Sequence, residues 1–284
     1  MITRDTMGFN EDLTILGSDD AGMAMNIQSG HPNGLDTLVI IKDHNTGEVV
    51  FRGKNKTMLA GSEFLALRMF DITGGGFTTP TYNTQLGLEN TKTSTGTDMT
   101  LDYKTCLFCI GKDGCNRESA IWYPVENKKW IDTDNIIPFQ YVPASNDLDA
   151  EERKIYFGRK TFSDESRIAY YFKAFDSDPI IKKQFADGTP WTSSVYSDTS
   201  ELKAQVSVTN TLSITKADGR DYFINTSGIN DGRFNSIELC AAWGGTVGGY
   251  TYYQDIRPIT RINFPNKYLN DLTASWDIIY TIYF

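Results

Sequence analysis

Four cysteines are the residues of this sequence whose type and spacing could bind a metal ion or support thiol chemistry. Cys106, Cys109 and Cys115 lie close together, whereas Cys240 lies far along the chain. Neighbouring thiolates can bind zinc tetrahedrally, but a zinc knuckle needs a turn that brings its sulfur atoms together. Thr105–Ile110 is instead an apolar run of strand length, in which residues three apart point to opposite faces. We therefore predict no metal, no cofactor and no disulfide framework.

Catalytic residues are not indicated by the sequence either. The two histidines, His31 and His44, lie in polar segments typical of surface loops, and no GxSxG or HExxH motif occurs. The segment Gly53–Thr57 (GKNKT) resembles part of a phosphate-binding loop, but it follows a predicted hairpin and its preceding glycine is misplaced. Acidic pairs are expected by chance among 36 acidic residues. These observations predict that the chain is not an enzyme.

Aromatic side chains offer one further kind of site. Trp243, Tyr250, Tyr252 and Tyr253 lie in a glycine-flanked segment, WGGTVGGYTYY. Exposed rings on such a loop could stack on sugars or anchor a protein interface. The alternative is that the same rings pack in the core, since large aromatic residues dominate protein cores.

Charge and hydropathy narrow the classes of partner. The 284 residues carry 27 basic and 36 acidic side chains, a net charge of −9, and the pI is near 4.8. Phosphate repels such a chain, so direct binding to nucleic acid or to an anionic membrane is not expected. No run of residues is long and apolar enough to predict a membrane-spanning helix. The first twenty residues contain acids and no continuous apolar core, so we expect no secretory signal and a reducing site of synthesis.

The elements that would position any site are mostly strands. Aromatic residues make up 13% of the chain, a composition that favours pleated sheets. Thr37–Asp43 and Glu48–Arg52 are apolar, β-branched runs separated by HNTG. Asn45 and Gly47 could supply the positive φ angles of a tight turn there, which predicts a hairpin.

Later segments alternate between apolar runs of strand length and polar turns. The runs are Thr105–Ile110, Ile121–Val125, Ile136–Val142, Lys154–Phe157, Arg167–Phe175 and Ile237–Trp243, the last ending at a glycine pair. From Leu202 to Ile214, apolar and polar residues alternate with the period of a strand that has one buried face. Short helices are predicted near Ser62 and Asp218, each of which could act as an N-cap.

These patterns predict a mainly β fold, an antiparallel β-sandwich-like arrangement with one or two short helices. Residues 1–103 would form a hairpin-and-helix portion with an extended loop, and residues 104–284 a larger sandwich-like portion.

Two segments are predicted to make contacts with partners. Thr78–Asp98 is rich in Thr, Asn and Gly, which predicts a long exposed excursion that a partner could order. The strand that begins at Ser275 carries apolar residues on both faces, so we expect it to be an interior strand or one covered by a neighbouring subunit. The predicted contact residues are Thr78, Tyr82, Leu86, Trp276, Ile278, Tyr280, Ile282 and Phe284.

A family resemblance follows from segments spread over about residues 50–284. In order, they are FRGKNKTMLAGSEFLALRMF, FCIGKDG, IPFQYV, KIYFGRK, AYYFKAF, ITKADGRDYF and RINFPNKYLNDLTASWDIIYTIYF. Together they resemble virion structural proteins of tailed bacteriophages. The resemblance implies a neck, tail or baseplate subunit of the virion that is made in the host cytoplasm, contacts other virion proteins and assembles as a homo-oligomeric ring. It transfers no catalytic residues to this chain. The alternative is a fibre or head-decoration protein that binds a glycan or receptor through Trp243, Tyr250, Tyr252 and Tyr253.

Overall fold

The structure is a computed structural model that describes most of the chain between residues 36 and 283. The described ranges are 36–54, 56–69, 81–89, 103–118, 121–124, 136–185, 204–226, 232–247, 250–269 and 274–283. Two predicted contact residues, Thr78 and Phe284, lie outside these ranges, as does His31. Among the described residues, no helix has the length and hydropathy needed to cross a membrane.

Strands dominate the described residues, which confirms the mainly β class. The strands are β1 (Asp36–Asp43), β2 (Val49–Gly53), β3 (Lys56–Thr57), β4 (Tyr103–Gly111), β5 (Cys115–Glu118), β6 (Ile121–Pro124), β7 (Ile136–Ile137), β8 (Gln140–Pro143), β9 (Tyr156–Phe162), β10 (Arg167–Ala174), β11 (Ile180–Phe185), β12 (Ala204–Ile214), β13 (Arg233–Val247), β14 (Tyr250–Tyr268) and β15 (Trp276–Tyr283). The helices are α1 (Leu59–Met69), α2 (Tyr82–Leu86) and α3 (Arg220–Thr226), and 3-10 turns occur at Ala144–Asn146 and Glu152–Lys154.

The smaller of the two large sheets has five antiparallel strands in the order β11-β12-β15-β1-β2. β15 lies at its centre, paired over eight residue pairs with β12 on one edge and over eight with β1 on the other. The prediction that the C-terminal strand is an interior one is therefore confirmed. The N-terminal hairpin and this strand share one sheet, although the predicted portions divide near residue 103.

The larger sheet follows the order β3-β14-β13-β4-β10-β8, with β7 paired to β4 and β9 to β10. Its longest hairpin, β13–β14, shifts register three times. At one shift Asp255 has a φ of 53°, and the backbone N–H of Ile256 donates to Asn83 Oδ1 at 2.8 Å. A residue just outside the sheet thus supplies an acceptor where the strand pairing is interrupted. The strands β5 and β6 form a separate hairpin.

The two large sheets pack face to face around a shared hydrophobic core. Ile41 and Ile278 of the smaller sheet belong to the same buried cluster as Phe108 and Leu239 of the larger one. A second cluster, which includes Leu107, covers the opposite face of the larger sheet. Consecutive residues of β4 therefore lie in two different cores, which explains its continuous apolar sequence, CLFCI.

The predicted β1–β2 hairpin is confirmed, with one difference in its turn. Gly47 has a φ of 72°, as predicted. Asn45 is not among the described residues with a positive φ, so that part of the prediction is wrong. The turn is instead organised by Asp43, whose carboxylate Oδ1 accepts the backbone N–H groups of Asn45 and Thr46, each at 2.9 Å.

Two predicted N-caps are wrong, although both helices are present. α1 begins at Leu59, so Ser62 lies within the helix. A Cβ on Gly61 would lie 2.2 Å from the carbonyl oxygen of Ile259, so this glycine lets α1 approach β14 closely. Asp218 precedes α3, but its carboxylate accepts from the backbone N–H of Thr215 at 2.8 Å rather than from the helix.

The segment Thr78–Asp98, which was predicted to be a long exposed loop, contains the helix α2. The sequence analysis did not predict this helix. Its N-cap Thr81 accepts from the backbone N–H of Thr84 at 3.2 Å, and Gly87 ends it with a φ of 62°. Tyr82 and Leu88 are buried, so the prediction of exposure is wrong for these residues, whereas Thr84, Gln85 and Gly87 are exposed as predicted. The rest of Thr78–Asp98, apart from residues 81–89, lies outside the described residues.

Candidate functional site

A row of polar side chains crosses three neighbouring strands on the second buried face of the larger sheet. The register places Glu238 of β13 directly between Cys109 of β4 and Arg261 of β14. Cys240 follows two residues after Glu238 and so lies on the same face, while Tyr82 reaches it from α2. We call these five residues the Glu238 cluster. Each is at most 3% exposed.

The carboxylate of Glu238 is fully engaged within this cluster. Its Oε1 lies 3.1 Å from Arg261 Nη1, both side chains being almost completely buried. Its Oε2 accepts a hydrogen bond from the Tyr82 hydroxyl, and Cys109 Sγ lies 3.9 Å from the same oxygen. A buried charge is tolerated when it is paired and hydrogen-bonded, and both conditions are met here.

The cysteines of the chain are thiols rather than thiolates at neutral pH. Burial raises the pKa of Cys109 well above its ordinary value, and the neighbouring Cys240 and Glu238 raise it further. Burial likewise raises the pKa of Cys240. It raises the pKa of Cys106 to about 12 and that of Cys115 to about 11. Because the thiolate is the nucleophile and the metal ligand, this environment opposes both roles.

Three residues of the Glu238 cluster are of types that can bind a metal ion. The ligand atoms of Cys109, Glu238 and Cys240 lie within 4.8 Å of one another, close to the spacing in a tetrahedral zinc site. However, Arg261 and Tyr82 already occupy the carboxylate. The arrangement therefore favours a hydrogen-bonded structural network around one buried ion pair.

The prediction that Cys106 and Cys109 point to opposite faces of one strand is wrong, and Cys109 has a different cysteine as its neighbour. Cys109 lies beside Cys240, which the sequence could not indicate because only the β4–β13 register brings them together. β4 shifts register at Cys106, and this side chain packs against the same cluster as Cys109 rather than on the opposite face. Cys115 lies elsewhere, with Sγ 3.0 Å from the carbonyl oxygen of Phe264.

We expect the purified chain to hold far less than stoichiometric zinc, and a chelator to leave its melting temperature unchanged. The reason is that every group of the Glu238 cluster already has a protein partner. Elemental analysis and a thermal melt with and without EDTA provide the measurement. Stoichiometric zinc that is lost in Cys240→Ser but retained in the matched control Cys115→Ser would contradict this expectation.

The predicted contact residues that the structure describes lie largely in the core of a single chain. Tyr82, Ile278, Tyr280 and Ile282 are buried, and Leu86 and Trp276 are half-buried. Both edges of β15 are paired with strands of its own chain, so neither edge is open for a neighbouring chain to add a strand. Of the predicted contact residues that the structure describes, Leu86 and Trp276 are the ones that keep exposed area for a partner.

The predicted aromatic platform is also largely internal. Trp243 and Tyr252 are each 8% exposed and pack edge to face with ring centroids 5.8 Å apart, while Tyr253 packs edge to face against Phe157. The structure describes no side-chain environment for Tyr250. With two of the rings in the core, their faces are not available for stacking on a sugar.

We expected the strand to end at Trp243, before the glycine pair. Instead, β13 continues through both glycines to Val247. A Cβ on Gly244 would lie 2.6 Å from the Tyr253 ring, and one on Gly245 would lie 2.4 Å from the Tyr252 hydroxyl. The tyrosines lie directly opposite the two glycines in the register. The glycines thus make room for cross-strand aromatic rings, which is a structural reason for their presence.

An exposed surface that the sequence analysis missed lies at the β11 edge of the five-stranded sheet. Ile180 and Ile181 are 53% and 65% exposed, and Val206 on the adjacent strand is 38% exposed. Lys182 and Lys183 are exposed beside them. We call these five residues the edge patch. In the sequence, the signal for this surface was the run of two isoleucines followed by two lysines at residues 180–183.

The fold places the chain among mainly β proteins with two facing antiparallel sheets. Comparison with protein-family models, with curated proteins and with solved structures returns no match for this chain.

Proposed function

We propose that this chain is a structural subunit of a tailed-bacteriophage virion that assembles through protein–protein interfaces in the neck, tail or baseplate. Two features support the proposal. The first is that several sequence segments, taken in their order along the chain, resemble virion structural proteins. The second, which carries the argument, is the edge patch, where apolar side chains are exposed at a sheet edge that pairs with no further strand among the described residues.

The edge patch supports an assembly role for a physical reason. Monomeric proteins usually protect the edge strands of their sheets with charged side chains, since unpaired backbone groups attract other chains. Lys182 and Lys183 give β11 such protection, but Ile180 and Ile181 beside them are left exposed. Isolated exposed apolar residues are common, but a cluster of them at an edge indicates a contact surface. In β11 two consecutive isoleucines point to opposite faces, so apolar area is offered on both sides of the edge.

The proposal is tested by mass spectrometry of phage particles purified on a density gradient. Peptides of this chain are expected to co-purify with the particles at a constant ratio to the major capsid protein. A non-structural protein from the same lysate, which should be removed by purification, is the control. Presence in the lysate with loss from the purified particles would overturn the proposal.

A further inference from the structure

A buried lysine and a buried aspartate meet between the two large sheets. Lys173 of β10 is 4% exposed, and Asp218 is completely buried. Lys173 Nζ lies 2.9 Å from Asp218 Oδ2, although the two residues are 45 positions apart in the chain. When an amine is held against a carboxyl group away from water, an amide can form, because the fixed contact replaces the collision that the reaction needs in solution.

Each oxygen of the Asp218 carboxylate has its own hydrogen-bond donors. Oδ1 accepts from the Tyr156 hydroxyl at 2.8 Å and from Gln140 Nε2 at 3.3 Å. Oδ2 accepts from Lys173, and also from the backbone N–H and the hydroxyl of Thr215 at 2.8 and 3.1 Å. The two donors on Oδ1 can stabilise negative charge that develops there, as in an oxyanion hole. Oδ2, which contacts the lysine, is then the oxygen that leaves.

We propose that Lys173 and Asp218 become joined by an isopeptide bond between Nζ and Cγ, with the ion pair as the reactant state. One proton passes from the ammonium group to Oδ2, and the neutral amine then attacks Cγ. The negative charge that forms on Oδ1 is held by Tyr156 and Gln140. A second proton passes from the nitrogen to Oδ2, the Cγ–Oδ2 bond breaks, and one water molecule leaves. The step consumes no oxidant, reductant or further reactant.

The hydrogen bonds of the site also suit the amide product. The amide keeps one N–H, and Lys173 Nζ already donates to the carbonyl oxygen of Ser213 at 2.9 Å. The amide oxygen keeps the two donors of Oδ1. Thr215 loses its acceptor but is exposed, so water can replace it. Bond formation removes two buried charges, whose desolvation is costly even when they are paired. The site therefore favours the amide over the ion pair.

Burial distinguishes this pair from an exposed lysine–carboxylate contact in the same chain. Lys154 Nζ lies 2.6 Å from Glu151 Oε1, but both side chains are exposed and solvated, so no bond is expected there. The bond at Lys173 would link β10 of the larger sheet covalently to the turn that follows β12 of the smaller one. The inference concerns contacts within one chain and is independent of the proposed assembly function.

The test is the intact mass of the purified full chain, followed during incubation at neutral pH. The mass is expected to be lower than that of the unmodified sequence by one water molecule, about 18 Da. Fragmentation of a proteolytic digest should then identify a branched peptide in which Lys173 is joined to Asp218, with Lys154 and Glu151 unmodified. A wild-type chain that keeps its full mass throughout would overturn the inference.

Lys173→Arg is the matched control for the nucleophile. Its guanidinium group keeps the positive charge but stays protonated and cannot attack the carboxyl carbon, so this variant should keep its full mass. The control also excludes another reaction, because Asp218 precedes Gly219 and a cyclic imide formed between them would remove one water as well. The imide does not require Lys173. Water loss that persists in Lys173→Arg would therefore refute the isopeptide bond.

Tyr156→Phe tests the donor on Oδ1. Loss of this hydroxyl should slow the loss of water by about a hundredfold, as removal of one oxyanion donor does in enzymes. Tyr170→Phe is the matched control, because the Tyr170 hydroxyl donates to Asp147 Oδ1 at 2.6 Å and does not contact the reacting pair. It should react at the wild-type rate, and circular dichroism should show that both variants are folded. Equal rates in the two variants would overturn the proposed route.

Discussion

A chain truncated after Ser275 is expected not to fold. The truncation removes β15, the central strand of the five-stranded sheet, and leaves β12 and β1 each without a partner on one edge. It also removes Ile278, Tyr280 and Ile282 from the core between the sheets. Burial of each such side chain contributes about 1.5–3 kcal/mol. Their sum approaches the roughly 5–15 kcal/mol by which a whole domain is stable.

Circular dichroism and limited proteolysis of the truncated chain provide the measurement, with loss of the cooperative thermal transition as the expected result. A matched pair of substitutions separates packing from the loss of a strand. Ile278→Ala, at a completely buried position, should lower the free energy of unfolding by about 2–5 kcal/mol. Ile279→Ala, on the half-buried opposite face, should cost less. A truncated chain that still melts cooperatively would show that β15 is dispensable.

The elements that could be predicted from the sequence are those whose information is local. The β1–β2 hairpin follows from two β-branched runs around Gly47, and the glycine has the positive φ that the turn needs. The interior position of β15 follows from apolar residues on both of its faces. In β12 the alternation is confirmed at the end near the core, where Leu212 and Ile214 are completely buried, whereas Val206 on the same face is exposed.

The parts that could not be predicted depend on contacts between distant segments. Cys109, Glu238 and Arg261 form a row only because three strands share one register, and a shift by one residue would separate them. The glycines at 244 and 245 have turn-like composition, but tyrosine rings from β14 make them suitable for a strand. α2 is different, because its signals, Thr81 at the N-cap and Gly87 at the end, were local and were missed within a polar segment.

The second large effect is expected at Lys173, which links the two sheets. Its Nζ donates to Asp218 Oδ2 and to the carbonyl oxygen of Ser213, both at 2.9 Å. Asp218 is completely buried and also accepts from the Tyr156 hydroxyl at 2.8 Å. Lys173 lies on β10 of the larger sheet, whereas Ser213 lies on β12 of the smaller one and Asp218 in the turn that follows. The pair thus joins the two layers.

Lys173→Met should lower the free energy of unfolding by about 3–5 kcal/mol, because it leaves a buried carboxylate without its counter-charge. Denaturant unfolding followed by fluorescence gives the measurement. The double variant Lys173→Met/Asp218→Asn should lose less than the sum of the two single variants, since removing both charges removes the uncompensated one.

The exposed pair Lys154–Glu151, with Nζ 2.6 Å from Oε1, is the matched control for this prediction. Solvent already screens these charges, so Lys154→Met should change stability by no more than about 1 kcal/mol. The comparison isolates the effect of burial, because both lysines contact a single carboxylate and both substitutions keep a long apolar side chain. Equal losses at the two sites, or strictly additive losses in the double variant, would mean that Lys173 contributes through packing alone. The layers would then be joined by their apolar core without help from this ion pair.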